Sequence, residues 1–72
     1  MKDLQIKFTE RLKELRQQKG ISQRNLAEII GVSQPLYFKW EQGQCQPSLE
    51  HLIKLCTYFD VSVDYIIGYA DI

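Results

Sequence analysis

The chain has 72 residues, 44% of them hydrophobic, which leaves room for one globular domain and no second one. Four glycines and two prolines are too few for a disordered chain or a turn-rich β fold. Nine Lys and Arg residues balance nine Asp and Glu residues, and a net charge of zero counts mildly against nucleic-acid binding, because such domains are often basic.

The charges are divided unevenly along the chain. Residues 1–40 hold eight Lys and Arg residues against four acids, whereas residues 41–72 hold one Lys against five acids. If the first half forms one face, that face can meet phosphate groups while the acidic half stays in water.

The two cysteines, Cys45 and Cys56, lie eleven positions apart without a second Cys/His cluster, so we expect reduced thiols, no metal and no cofactor. The N-terminal residues lack the apolar stretch of a signal peptide, and no run approaches a membrane-spanning length. We therefore expect a cytoplasmic protein with no membrane partner.

The first predicted helix has an apolar face formed by Phe8, Leu12 and Leu15, at spacings of four and three residues. Charged residues lie between them and predict a solvated face: Glu10, Arg11, Lys13, Glu14 and Arg16. Gly20 follows Lys19 and ends this helix.

Two short helices follow, each with a serine at its predicted start. Ser22 caps the second helix, whose apolar side comprises Leu26, Ala27, Ile29 and Ile30, and Gly31 ends it. Ser33 caps the third helix, with Pro35 in its first turn and Gly43 at its end. Tyr37 and Trp40, three positions apart, are expected in the core rather than in a stacking platform for single strands.

The last part of the chain predicts two more helices. Ser48 caps the fourth helix. Its apolar residues recur at the helical period: Leu49, Leu52, Ile53, Cys56 and Phe59. A short fifth helix begins at Asp60 or Ser62 and ends at Gly68. With no alternating segment to suggest a strand, the prediction is an all-α, compact five-helix bundle and a single domain over residues 1–72.

The second and third helices are separated only by a few residues around Gly31, where glycine supplies the positive φ that a tight turn requires. Two short helices with inward apolar residues and such a turn are typical of a helix-turn-helix, here at about residues 23–42.

Several segments resemble the phage repressor and Cro-type (XRE-like) helix-turn-helix DNA-binding family, also called lambda-repressor-like. They are Gly20-Ile21-Ser22-Gln23-Arg24-Asn25-Leu26-Ala27, Gly31-Val32-Ser33-Gln34, Trp40-Glu41-Gln42-Gly43, Pro47-Ser48-Leu49-Glu50 and residues 59–68. The resemblance covers about residues 8–68. It implies sequence-specific binding of double-stranded DNA by a transcriptional regulator, expected to be a repressor, with the recognition helix 33–42 in the major groove.

The resemblance also implies which residues touch DNA. The base-contacting set is Gln34, Pro35, Leu36, Phe38 and Lys39, and the phosphate-contacting set is Gln23, Arg24, Ser33, Gln42 and Gln44. Gln34 can pair with adenine N6 and N7, and Lys39 with guanine or a phosphate. Leu36 and Phe38 depart from the small or polar residues common in the family, and contact either thymine methyl groups or a protein. Pro35 cannot hydrogen-bond a base.

Family members commonly pair through their last helices, which implies a homodimer on a two-fold symmetric operator. The expected dimer interface is Tyr65, Ile66, Tyr69 and Ile72.

The sequence also bears on two other function classes. A protein-interaction module, such as an antitoxin-like regulator, would use Leu36 and Phe38 as an apolar patch. An enzyme is disfavoured because the sequence lacks a nucleophile–base arrangement, a phosphate-binding glycine loop and metal-ligand spacing. The single histidine, His51, is expected at the surface or the boundary of the core.

Overall fold

Five helices make up the secondary structure of the computed structural model, which describes residues 2–70, with side chains described over residues 7–70. The helices are α1 (Lys2–Lys19), α2 (Gln23–Ile30), α3 (Gln34–Gln42), α4 (Leu49–Phe59) and α5 (Val63–Ile66). The described residues contain no strand, so the prediction of an all-α, five-helix fold is confirmed.

Serine caps start the last four helices, as the sequence predicted. The hydroxyl of each cap accepts a hydrogen bond from the backbone N–H three residues further on: Ser22, Ser33, Ser48 and Ser62. Asp60 instead ends α4 in the left-handed conformation, with φ 56°. Of the two predicted starts of the fifth helix, Ser62 is therefore the observed one.

The core lies where the inward faces of all five helices meet. Its largest fully buried side chains are Trp40, Tyr37, Leu12, Leu26, Leu55 and Ile66. The rings of Tyr37 and Trp40 meet edge to face, with centroids 5.8 Å apart. Their assignment to the core is confirmed, and Leu55 is a core residue that the sequence analysis did not single out.

Three residues assigned to apolar helix faces are in fact exposed: Ile29 (51%), Leu49 (71%) and Ile53 (51%). On α2, the buried residues Leu26, Ala27 and Ile30 form a narrow face, and an α-helix turns about 100° per residue. That turn carries Ile29 away from the face. An apolar residue at helical spacing thus indicates a helix, but it does not show whether that residue itself lies on the buried side.

Arg11 does not lie on a solvated face, contrary to prediction. Its side chain is half-buried, and the guanidinium carbon lies 4.2 Å from the centroid of the Tyr65 ring. Its Nη1 donates hydrogen bonds to the carbonyl oxygens of Tyr65 and Ala70, the latter at 2.6 Å. Arg11 therefore ties α1 both to α5 and to the segment that follows it.

The two cysteines and the single histidine lie in the core or at its boundary. Cys45 is half-buried, Cys56 is buried, and both are free thiols. His51 sits at the boundary of the core, with its ring centroid 5.6 Å from that of Trp40. Within residues 2–70, every helix is too short or too polar to traverse a lipid bilayer.

Candidate nucleic-acid interface

The turn between α2 and α3 comprises Gly31, Val32 and Ser33. Gly31 has φ 92°, and its N–H donates to the Ala27 carbonyl oxygen at 2.8 Å. The N–H of Val32 donates to the same carbonyl at 2.9 Å. These bonds end α2 and let Ser33 start α3 only three residues later, which gives the helix-turn-helix that the sequence predicted.

The outer side of α3 carries a continuous exposed stripe. Its exposed residues are Gln34, Pro35, Phe38, Lys39 and Gln42, while the opposite side buries Tyr37, Trp40 and Glu41. Residues three and four apart share a helix face, so the exposed set forms one continuous surface. We call these five residues the α3 stripe.

Leu36 differs from the other predicted base-contacting residues because it is half-buried and packs against the core. Phe38 is 42% exposed. Only part of Leu36 is therefore available to the joint apolar patch that the protein-interaction hypothesis assumed.

Most of the predicted phosphate-contacting residues are exposed, and one of them, Gln42, belongs to the α3 stripe. Arg24, Ser33 and Gln44 are exposed, and Gln23 is half-buried at the start of α2. The Ser33 hydroxyl oxygen accepts from the N–H of Leu36 at 3.2 Å, which leaves its own O–H as a donor.

Glu41, for which the sequence predicted no role, is only 3% exposed. Its carboxylate accepts from Arg16 Nε at 2.6 Å, from Gln23 Nε2 at 3.0 Å and from the Tyr37 hydroxyl. Arg16, predicted to be solvated, is thus half-buried in an ion pair. The spacing of four residues between Tyr37 and Glu41 is the signal that could have placed Glu41 on the inward face.

The burial of Glu41 raises its carboxyl pKa, but the hydrogen bonds from Arg16, Tyr37 and Gln23 outweigh burial and hold that pKa below its ordinary value. The hydrogen bond to Glu41 raises the pKa of Arg16. Burial, together with Glu41, raises the pKa of Tyr37 well above the ordinary range. Near neutral pH the carboxylate is therefore charged, while the phenol is protonated.

This buried pair changes the electrostatics of the candidate interface. The only acid of α3 is Glu41, and it points inward, so Lys39 is the one charged residue that α3 exposes. The zero net charge of the chain therefore does not describe this surface, which presents two amides, two apolar side chains and one cation.

Two hydrogen bonds connect the stripe to the buried carboxylate. Gln34 Nε2 donates to Gln23 Oε1 at 3.4 Å, and Gln23 Nε2 donates to Glu41 Oε1 at 3.0 Å. The first residues of α2 and α3 are thus held together at the point where both helices begin.

The predicted dimer interface is only partly available. Ile66 is fully buried in the core of its own chain, so its assignment to the dimer interface is wrong. Tyr65 is half-buried beneath Arg11, and Tyr69 is 76% exposed. Ile72 lies outside the described residues.

The described side chains include no group of three or more His, Cys, Asp and Glu residues that could hold a metal ion. The predicted polar contact residues of α2, α3 and the turn between them offer amides, a hydroxyl and cations, whereas Glu28 is an exposed acid of α2 outside that set. These groups suit hydrogen bonding to the edges of bases and ion pairing with phosphates.

Comparison with known proteins gives consistent matches. A model of the helix-turn-helix family HTH_3 matches residues 12–66. The HTH-type transcriptional regulator YqaE of Bacillus subtilis is 38% identical over 60 residues, which are 83% of this chain and 52% of that protein. The chain spans about half the length of the curated relatives it matches.

Two solved structures share the fold. One is the P22 c2 repressor protein in complex with synthetic operator 9T, with a TM-score of 0.77 and 30% identity over 82% of this chain and 89% of that one. The other is the restriction-modification controller protein C.AhdI from Aeromonas hydrophila, with a TM-score of 0.78 and 38% identity over 92% of this chain and 98% of that one.

Proposed function

Because the chain belongs to the helix-turn-helix family HTH_3, we propose that it binds double-stranded DNA sequence-specifically and represses transcription, with α3 in the major groove. The observation that carries this proposal is the α3 stripe, an exposed surface backed by the buried residues Tyr37 and Trp40. An α-helix is about 10–12 Å across and the major groove is about 12 Å wide, so a helix anchored on one side can insert its other side.

The stripe has the chemistry needed to read base edges. Gln34, at the start of α3, is exposed and can donate to adenine N7 and accept from adenine N6. Phe38, one turn further on, offers an apolar surface to a thymine methyl group. Lys39 can reach a guanine acceptor or a phosphate.

The start of α2 offers donors for a phosphate. The first N–H groups of a helix lack intrahelical partners, and a helix N-terminus favours an anion. Gln23 and Arg24 are the first two residues of α2. The Ser33 hydroxyl, directly before α3, is a further donor. With Gln42 at the end of α3 and Gln44 just beyond it, these groups would fix the register of the protein on the duplex.

The assignment as a repressor rests on similarity to the P22 c2 repressor protein, which is solved with a synthetic operator. We further propose that two copies bind together, since one helix-turn-helix reads about one half-site. Tyr69 and Tyr65 are the described residues left for the pairing surface. A dimer would require an operator with two-fold symmetry.

DNA is favoured over a protein as the ligand of the stripe because its apolar part is small. Phe38 is exposed, but Leu36 is half-buried and packs against the core. Gln34 and Lys39, on the same stripe, are polar. A single exposed aromatic residue is ordinary on a protein surface.

The test is selection of the full chain against a randomised duplex pool at two salt concentrations. We expect enrichment of one motif with two-fold symmetry, and weaker retention at the higher salt because phosphate contacts release counterions. A parallel selection with Gln34→Ala controls for binding that does not depend on α3. Absence of enrichment, with little retention even at low salt, would contradict the proposal and favour a protein ligand.

A further inference from the structure

The amide of Gln23 has a fixed orientation because it faces a buried anion. Its Nε2 lies 3.0 Å from Glu41 Oε1, and an ionised carboxylate can only accept hydrogen bonds. If the amide were flipped, its oxygen would face a carboxylate oxygen, and two acceptors with no proton between them would lie against each other, which is costly. Gln23 Oε1 must therefore point towards the DNA-facing side.

The orientation of Gln23 in turn sets that of Gln34. Gln23 Oε1 accepts from Gln34 Nε2 at 3.4 Å, so the nitrogen of Gln34 lies on the side of α2. The Gln34 oxygen then lies on the other side of its amide. One remaining N–H and this oxygen are left for a base edge, with the donor and the acceptor in a set order.

We propose that Glu41 is a positioning residue for DNA specificity: acting through Gln23, it fixes the order of donor and acceptor that Gln34 presents to a base pair. This inference rests on the proposed function, because it names what decides the base preference of that site. The amide of a free glutamine can rotate by 180° and so present its donor and acceptor in either order. A fixed glutamine matches the N7 acceptor and N6 donor of adenine in one orientation only.

The carboxylate is itself held rigidly enough for this role. Arg16 Nε donates to Glu41 Oε2 at 2.6 Å, and Arg16 Nη2 reaches Glu41 Oε1 at 3.3 Å, so the guanidinium grips both oxygens. Tyr37 donates its hydroxyl to Oε2 from within α3. Because Glu41 is almost fully buried, water cannot replace these partners.

The experiment compares binding of the 72-residue chain to four duplexes that differ only at the base pair read by Gln34. That base pair is identified as the one whose preference Gln34→Ala removes. The wild type should prefer one base pair by roughly 5- to 150-fold, the range expected of a bidentate contact. Glu41→Gln and Gln23→Met should lower this preference towards that of Gln34→Ala, because the freed Gln34 amide can take either orientation.

Tyr37→Phe is the matched control. It removes another hydrogen bond from the same buried carboxylate but leaves the bond between Gln23 and Glu41 in place. Its preference among the four duplexes should stay within about two-fold of the wild type, even if the domain is less stable. Gln23→Met covers the case in which Glu41→Gln fails to fold, since it leaves Arg16, Tyr37 and Glu41 paired.

Equal loss of affinity for all four duplexes, with the preference retained in Glu41→Gln and Gln23→Met, would overturn the proposal and leave Glu41 a purely structural residue. A DNA-free measurement separates this result from failure of DNA binding itself. The side-chain amide NMR signals of Gln34 in the free protein should move in Gln23→Met and not in Gln17→Met, which changes an exposed glutamine of α1. Unmoved Gln34 signals would also overturn the proposal.

Discussion

Arg16 Nε lies 2.6 Å from Glu41 Oε2, so an ion pair joins the last turn of α1 to the last turn of α3 across 25 positions of sequence. The pair fixes the helix that carries the candidate DNA surface onto the longest helix of the fold. It also removes the only acidic side chain of α3 from the side that would meet phosphates.

The Glu41 carboxylate should make stability fall in acid. Its pKa is lowered in the folded state from an ordinary value of 4.5, so its stabilising contribution is present above that value and is lost as the pH falls through the folded pKa. At pH 7, Glu41→Gln should lower the free energy of unfolding by about 3–5 kcal/mol, the usual cost of breaking a buried pair. Urea unfolding from pH 7 to pH 3 measures the difference between the two proteins.

That difference should shrink as the carboxylate of the wild type becomes protonated. Glu50→Gln is the control, because the side chain of Glu50 is 79% exposed and lies 3.9 Å from Lys54 in a surface pair of little expected value. A gap between the wild type and Glu41→Gln that stays constant down to pH 3 would be incompatible with a charged, paired Glu41.

Trp40 should be the most costly residue of α3 to truncate. It is 1% exposed, so Trp40→Ala should lower the free energy of unfolding by roughly 3–5 kcal/mol. Trp40→Phe should cost less, partly because the indole N–H is buried without a hydrogen-bond partner in the described structure. Thermal unfolding followed by circular dichroism tests both, and equal stability of all three proteins would show that Trp40 is not a core residue.

Gln34→Ala should alter base preference without unfolding the domain. Gln34 is exposed and its described hydrogen bond, at 3.4 Å to Gln23, is long, so stability should change by less than about 0.5 kcal/mol. Discrimination at one base pair should fall by about 1–3 kcal/mol. Competition between duplex variants measures their relative affinities. If these are unchanged in Gln34→Ala, Gln34 does not contact a base.

Lys39→Ala should weaken binding to all duplexes and lower the salt slope by about one if Lys39 contacts a phosphate. Lys54→Ala is the matched control, because Lys54 is the single lysine of the acidic half and lies on α4. Fluorescence anisotropy over a range of salt concentrations measures both slopes. Identical slopes for the two variants would place Lys39 away from the backbone of the duplex.

The helices and the family could be predicted from the sequence because their signals are local. Ser22 and Ser33 each start a helix through a bond to a backbone N–H only three residues away. Gly31 marks the turn by its position between two short apolar patterns. The resemblance to phage-repressor and Cro-type domains extends these signals along most of the chain, and the match to the helix-turn-helix family confirms it.

The buried polar network could not be predicted because its partners are distant in sequence. Arg16 stands among charged neighbours that do lie in solvent, and only the packing of α3 on α1 brings it to Glu41. Arg11 is drawn over Tyr65 in the same way, through a contact between residues 54 positions apart. For Ile29 the helix was predicted correctly, but the narrow buried face of α2 depends on how closely α3 and α4 approach.

The most direct test of the central claim is to map the DNA-bound surface by NMR, following backbone amide signals while the selected duplex is added. If α3 enters the major groove, the largest changes should lie at residues 33–39 and at Gln23 and Arg24, with α1 residues such as Lys13 little affected. Large changes confined to α1 and α4, with the signals of α3 unmoved, would contradict that claim, because the helix assigned to the major groove would then lie away from the DNA.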